Sequence, residues 1–124
     1  MNGKTVLLGV LICLLGNCRS KTEVLPSEVW SEGCAELAPY QGGYRLSGMC
    51  CEYVLLPGPL SRSFQVNGTY HGFTGAGFSN IPIAITGTAL SDTTLVLSYS
   101  VNTKTSTFTL KPGRARMACN CACD

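Results

Sequence analysis

The sequence predicts an all-β fold: a small antiparallel meander, closed as a barrel or folded as a two-layer sandwich, with a short N-terminal helix and disulfide staples. Three observations lead there. Between Ile81 and Leu110 the side chains alternate with a period of two in three successive runs, each ended by a tight-turn signal. Beyond residue 20, cysteines fall into two groups, Cys34, Cys50 and Cys51, then Cys119, Cys121 and Cys123. The 124 residues, 45% hydrophobic and 13% charged with a mean hydropathy of +0.21, describe one globular domain rather than a disordered or polyelectrolyte chain.

Met1 to Lys4 is a short basic start, Thr5 to Leu15 is apolar after its first residue, and Gly16 to Ser20 is small and polar. That is the plan of a secretory signal peptide over residues 1–20, cut after Ser20. A lipoprotein signal at Leu15-Gly16-Asn17-Cys18 is an alternative that Asn17 suits badly, and an internal apolar helix is another. The apolar run falls short of the ~20 helical residues that cross a bilayer, and no later segment is apolar enough, so no membrane span is expected. The formal charge of +2 includes Lys4 and Arg19; beyond the leader, seven basic and seven acidic residues balance. No basic field for nucleic acid is left.

The mature chain then divides into an N-terminal segment with the helix (21–42), a β-domain (43–112) and a cysteine-rich clasp (113–124). In an oxidising compartment six cysteines read as disulfides, with 15 formal pairings. Cys119, Cys121 and Cys123 are next-but-one neighbours, which disfavours bridges among themselves. Each must then find Cys34, Cys50 or Cys51, leaving six pairings, all of which tie the tail to the first third of the mature chain. A soft-metal site is the competing reading of Cys-x-Cys-x-Cys, but metal thiolates suit a reducing compartment, and no metal or cofactor is expected.

Taking the elements in order, Ser27 caps a helix in which Trp30, Cys34, Leu37 and Ala38 share a face ahead of Pro39. Tyr44 to Leu56 reads as one strand running through Cys50-Cys51 and broken by Pro57-Gly58-Pro59. Asn67-Gly68 reads as a type I′ turn between Ser63-Phe64-Gln65-Val66 and Thr69 to Phe73. That hairpin would place Phe64 opposite His71 and put Phe64, Val66, His71 and Phe73 on one side. Phe73 to Asn80 is a glycine-rich loop. Ile81, Ile83 and Ile85 alternate into Gly87 and Ala89, Leu95 into Val101, and Ser106 into Leu110. Twelve of residues 86–109 are Ser or Thr, and their strict alternation assigns them to outward strand positions rather than to a glycosylated stalk. About six strands fit.

Few residues point to chemistry. His71 is the one imidazole, too little for a metal cluster, and no Gly-x-Ser-x-Gly elbow joins it to Asp92 and a serine as a triad. Glu52 and Asp92 are the acids between Tyr40 and Leu110, so a glycosidase pair is not foreseen. Gly75-Ala76-Gly77 lacks the setting of a nucleotide loop. Thr86-x-Thr88 and Thr105-x-Thr107-x-Thr109 are too few rows for an ice-binding face, and Lys111, Arg114 and Arg116 read as a solvated approach to the tail. Asn67-Gly68-Thr69 is an N-glycosylation sequon. Phe64, Val66, Phe73, Ile83, Ile85, Leu97, Tyr99 and Phe108 form the expected inward faces, which enclose a small apolar pocket if the glycines at 72, 75, 77 and 87 leave room at its rim.

A short helix followed by Gln41-Gly42-Gly43-Tyr44, and later Ile85-Thr86-Gly87-Thr88-Ala89 with Leu95-Val96-Leu97-Ser98-Tyr99, resembles the opening half of a lipocalin over residues 35–101. Gly42-Gly43-Tyr44 stands where that family has Gly-x-Trp, and about four of the usual eight strands fit. The resemblance implies a cup for apolar ligands. The expected function is that of a secreted, non-enzymatic β-domain that binds a small apolar ligand or an extracellular protein. The rival readings are a structural component of an extracellular matrix, egg coat or shell layer, and a secreted effector or toxin.

Overall fold

The computed structural model describes residues 24–123, and the leader expected over residues 1–20 lies outside them. Eight strands follow one another: β1 (Trp30–Glu32), β2 (Ala35–Tyr40), β3 (Gly43–Ser47), β4 (Glu52–Leu56), β5 (Ser63–Gly72), β6 (Ile81–Ser91), β7 (Thr94–Val101) and β8 (Lys104–Pro112). Each pairs antiparallel with the next, and β1 pairs with β8 through Trp30↔Pro112 and Ser31↔Lys111, closing the meander as a barrel. Strands β6 to β8 follow the alternation in the sequence. Their outward hydroxyls face one another in rows, Ser98 to Thr107 and Ser100 to Thr105, each pair 2.7 Å apart. No helix among the described residues is long and apolar enough to cross a membrane.

Three local expectations are corrected. The helix from Ser27 is replaced by the β1–β2 hairpin, in which Gly33 turns at φ +61° and Trp30 pairs with Leu37. Residues 30 and 37 share a face in a helix and also across a hairpin, so the spacing did not discriminate. The barrel thus includes strands on the N-terminal side of residue 43. The single strand over Tyr44 to Leu56 is two strands, separated by a turn with Gly48 at φ +91° and Cys51 at φ +65°. A Cβ on Gly48 would strike the Cys34 carbonyl.

The third concerns Asn67-Gly68, which is no turn but the middle of the ten-residue strand β5. Gly68 is there because the barrel wall is tight: a Cβ would strike the Leu55 carbonyl and come within 2.6 Å of the Ile85 side chain. Long-range packing overrides a strong local turn signal. With one strand in place of two, Phe64 pairs with Gly87 and His71 with Tyr53, so Phe64 and His71 fall on opposite faces.

Inside, Leu37, Leu46, Val54, Ile85, Leu95, Leu97 and Leu110 are fully buried in one cluster. The end holding the β2–β3, β4–β5 and β6–β7 connections is plugged by Leu25, Leu60 and Trp30, whose indole N–H donates to the Ser27 carbonyl at 3.0 Å. From Pro112 at that end the chain doubles back outside β1 and β2. Gly113 donates its N–H to the Val29 carbonyl at 2.9 Å, and Ala115 donates to Glu36 Oε1 at 2.9 Å. This strap leads to the opposite end, which carries the β1–β2, β3–β4, β5–β6 and β7–β8 connections.

Candidate functional site

The strap ends in three disulfides, Cys34–Cys119, Cys50–Cys121 and Cys51–Cys123, with Cα separations of 5.6, 5.2 and 5.5 Å. Of the six pairings left by the sequence, this is the one in which partners follow chain order. The N-terminal partners sit in the β1–β2 and β3–β4 turns, so the clasp fastens two turns at a single end of the barrel. Three disulfides suit an oxidising environment.

At that same end a cavity of about 400 Å³ opens between Glu52, Tyr70, Ile81, Tyr99, Val101 and Lys104. Alternation builds it. In β4 the inward row is Glu52, Val54 and Leu56, so an acid takes the outermost position of an otherwise apolar row. Tyr70 and Tyr99 reach the mouth from β5 and β7, their ring centroids 6.3 Å apart. The Tyr70 hydroxyl donates to Glu52 Oε2 at 2.7 Å. Tyr99 is 3% exposed, and its hydroxyl is buried with no hydrogen-bond partner. Ser106, opposite Tyr99 in the β7–β8 ladder, pulls its titration the other way without meeting hydrogen-bond geometry. Burial, and after it the hydrogen bond to Glu52 and the carboxylate charge, push Tyr70 to about 12. Burial and then the same charge push Tyr99 to about 12. Both phenols therefore stay protonated at neutral pH, as hydrogen-bond donors.

Of the eight expected pocket residues, Ile83, Ile85, Leu97 and Tyr99 are in the buried cluster, with Phe64, Val66 and Phe108 packed against it. Phe73 is elsewhere, in the β5–β6 loop, bridged to Phe78 with rings 5.7 Å apart. The sequence weighed Glu52 only as a partner for Asp92 in a carboxylate pair and did not single out Tyr70. The signal that could have found them is Glu52 itself, a carboxylate in phase with Val54 and Leu56 once β4 is recognised as starting after the cysteine pair.

The remaining candidates lie outside the barrel interior. His71 stacks on Tyr53 at 4.5 Å with 6° between the planes, and its Nε2 lies 2.8 Å from Thr69 Oγ1. Phe78, 52% exposed, leans on the same Tyr53 at 5.3 Å. Asp92 is at the plugged end, paired with Arg62 at 2.9 Å, so the structure does not bring His71 and Asp92 together. Arg114 of the strap approaches Glu36 of β2 at 3.9 Å. Asn67 is exposed on the outer face of β5.

No family model, curated protein or solved structure matches the chain, so the likeness of residues 35–101 to a lipocalin's opening half rests on the quoted residues alone.

Proposed function

We propose that this is a secreted, non-enzymatic binding domain whose ligand is a small apolar molecule bearing one hydroxyl group, held in the mouth between β4 and β8. The observation that carries the reading is Tyr99, which lines the cavity of about 400 Å³ and whose hydroxyl is buried just beneath that lining without a hydrogen-bond partner. Ligand sites of this size are mostly apolar with a few placed polar groups. Ile81, Val101 and the two tyrosine rings supply the apolar walls, and Glu52, Lys104, Ser106 and the β7–β8 turn at Asn102 and Thr103 supply the polar ones. A buried donor without an acceptor costs about 1–3 kcal/mol. A ligand hydroxyl that displaces the atoms covering it recovers that by accepting from Tyr99 while donating to the Glu52 carboxylate. The apolar packing deeper in the barrel keeps the site near the rim, which selects a compact ligand over a long acyl chain.

Titration with 1-naphthol and with naphthalene, which lacks the hydroxyl, tests this. Saturable binding of 1-naphthol near one site per chain is expected, with the Tyr99→Phe variant weaker by about five- to tenfold, the worth of one hydrogen bond, and naphthalene, which loses the bond to Glu52 as well, weaker still. Equal affinity for the two compounds, or no saturable binding of either, overturns the reading.

A further inference from the structure

A second cleft, of about 450 Å³, lies on the outer face of the barrel, between the β2–β3 turn, the β4–β5 connection and β5. It is lined by Tyr40, Gly42, Gly43, Leu55, Asn67 and Thr69. We propose that Asn67 carries an N-linked glycan whose first N-acetylglucosamine rests in this cleft as part of the folded surface.

The sequon alone is a short motif, and the structure adds three things to it. Continuation of β5 through Asn67-Gly68-Thr69 fixes the register: Val66 and Gly68 take the inward row, and Asn67 and Thr69 lie on the outer face. Gly68 is accounted for by the close approach of Leu55 and Ile85, so the dipeptide serves no turn and leaves an exposed Asn in the middle of a strand, where that residue type is disfavoured. And the exposed Asn67 lines a ready concavity, to which Gly43 and Gly68 contribute backbone only. A sugar tethered at its rim meets apolar surface on Leu55 and on the Tyr40 ring. Arg45 sits 4.5 Å from that ring's centroid and fixes it from one side.

The transfer is a substitution at the anomeric carbon of a polyprenyl-diphosphate-linked oligosaccharide. The Asn67 amide nitrogen forms the new C–N bond, the C–O bond to the diphosphate breaks, the amide loses one proton, and the polyprenyl diphosphate leaves. The proposal rests on the secretion element of the preceding reading but not on its ligand, since the cleft takes the outward side chains Asn67 and Thr69 and the mouth the inward Tyr70.

The full chain expressed in a eukaryotic secretory host tests it. Protein from the medium should lose the mass of one glycan on treatment with a peptide N-glycanase, and an Asn67→Gln variant should carry none. An endoglycosidase that leaves the first sugar should not change Tm, whereas the N-glycanase product should melt lower by about 4 °C, together with an Asn67→Asp variant that reproduces its residual charge. Secreted, disulfide-bonded protein without a glycan overturns this proposal alone. A glycan whose complete and partial removal leave the same Tm overturns its seat in the cleft. A chain retained in the cell overturns the secretion reading and this proposal with it.

Discussion

The ring of Phe64 lies where a side chain on Gly87, its partner in the β5–β6 ladder, would be: a Cβ at residue 87 would overlap the far edge of that ring. Gly87 is buried in the inward row of β6, and the aromatic fills the volume it vacates. Gly87→Ala should therefore destabilise the domain by about 1–3 kcal/mol through overpacking. Phe64→Leu should relieve part of that loss in the double variant. Denaturant unfolding of the four proteins of the cycle measures the coupling, and additive effects would refute the contact.

The mouth tyrosines give an alkaline signature. Their folded titration is raised from 10 to about 12, so the unfolded chain releases these protons first and folding stability falls as pH rises through 10 to 12, while below 10 it is undiminished. Ultraviolet titration should show two of the five tyrosines ionising late. Glu52→Gln should bring both midpoints down without reaching 10, because burial is the larger cause. Unchanged midpoints would separate Glu52 from the pair.

A chain ended at Met117 lacks all three bridges. Loss of a native disulfide costs a small secreted domain roughly 2–5 kcal/mol against a total stability of about 5–15 kcal/mol. The truncated protein should be unfolded at 37 °C by circular dichroism, and a melt like that of the full chain would make the clasp dispensable. A chain that starts near Lys21 should also yield no adduct with a thiol reagent.

His71 is an aromatic neighbour before it is a base. His71→Ala should cost about 0.5–1.5 kcal/mol from the stack on Tyr53, and His71→Phe should restore most of it. No ester, glycoside or peptide turnover is expected from either form. Turnover that vanishes with the imidazole would make the protein an enzyme.

How much of this was written in the chain depends on whether a local pattern and its distant packing agree. In β6 to β8 they do: Ile83, Ile85, Leu95 and Leu97 face in, hydroxyls face out, and the turns fall where Asp92 and Asn102 stand. Trp30 and Leu37 satisfied two patterns at once, and only the partner strands decide between them. Asn67-Gly68 is the sharper case, since the feature that makes it a good turn, a residue without a side chain, is what lets β5 press against Leu55 and Ile85. The candidate mouth was hidden for a related reason. Glu52 directly follows two cysteines that read as strand, and until Cys51 is seen to turn at φ +65° its phase with Val54 cannot be counted.

The order of the three bridges also has a consequence in time. Cys34, Cys50 and Cys51 precede their partners by 85, 71 and 72 residues. At synthesis rates of about 5–20 residues per second the early thiols wait roughly 4 to 17 s for the tail to emerge. During that interval Cys50 and Cys51 are adjacent, reduced and open to every passing oxidant, while the strands around them have already been made. Correct pairing then depends on how the growing chain is escorted as much as on the barrel itself, and a host that oxidises nascent thiols too eagerly would collect isomers sealed before the strap arrives.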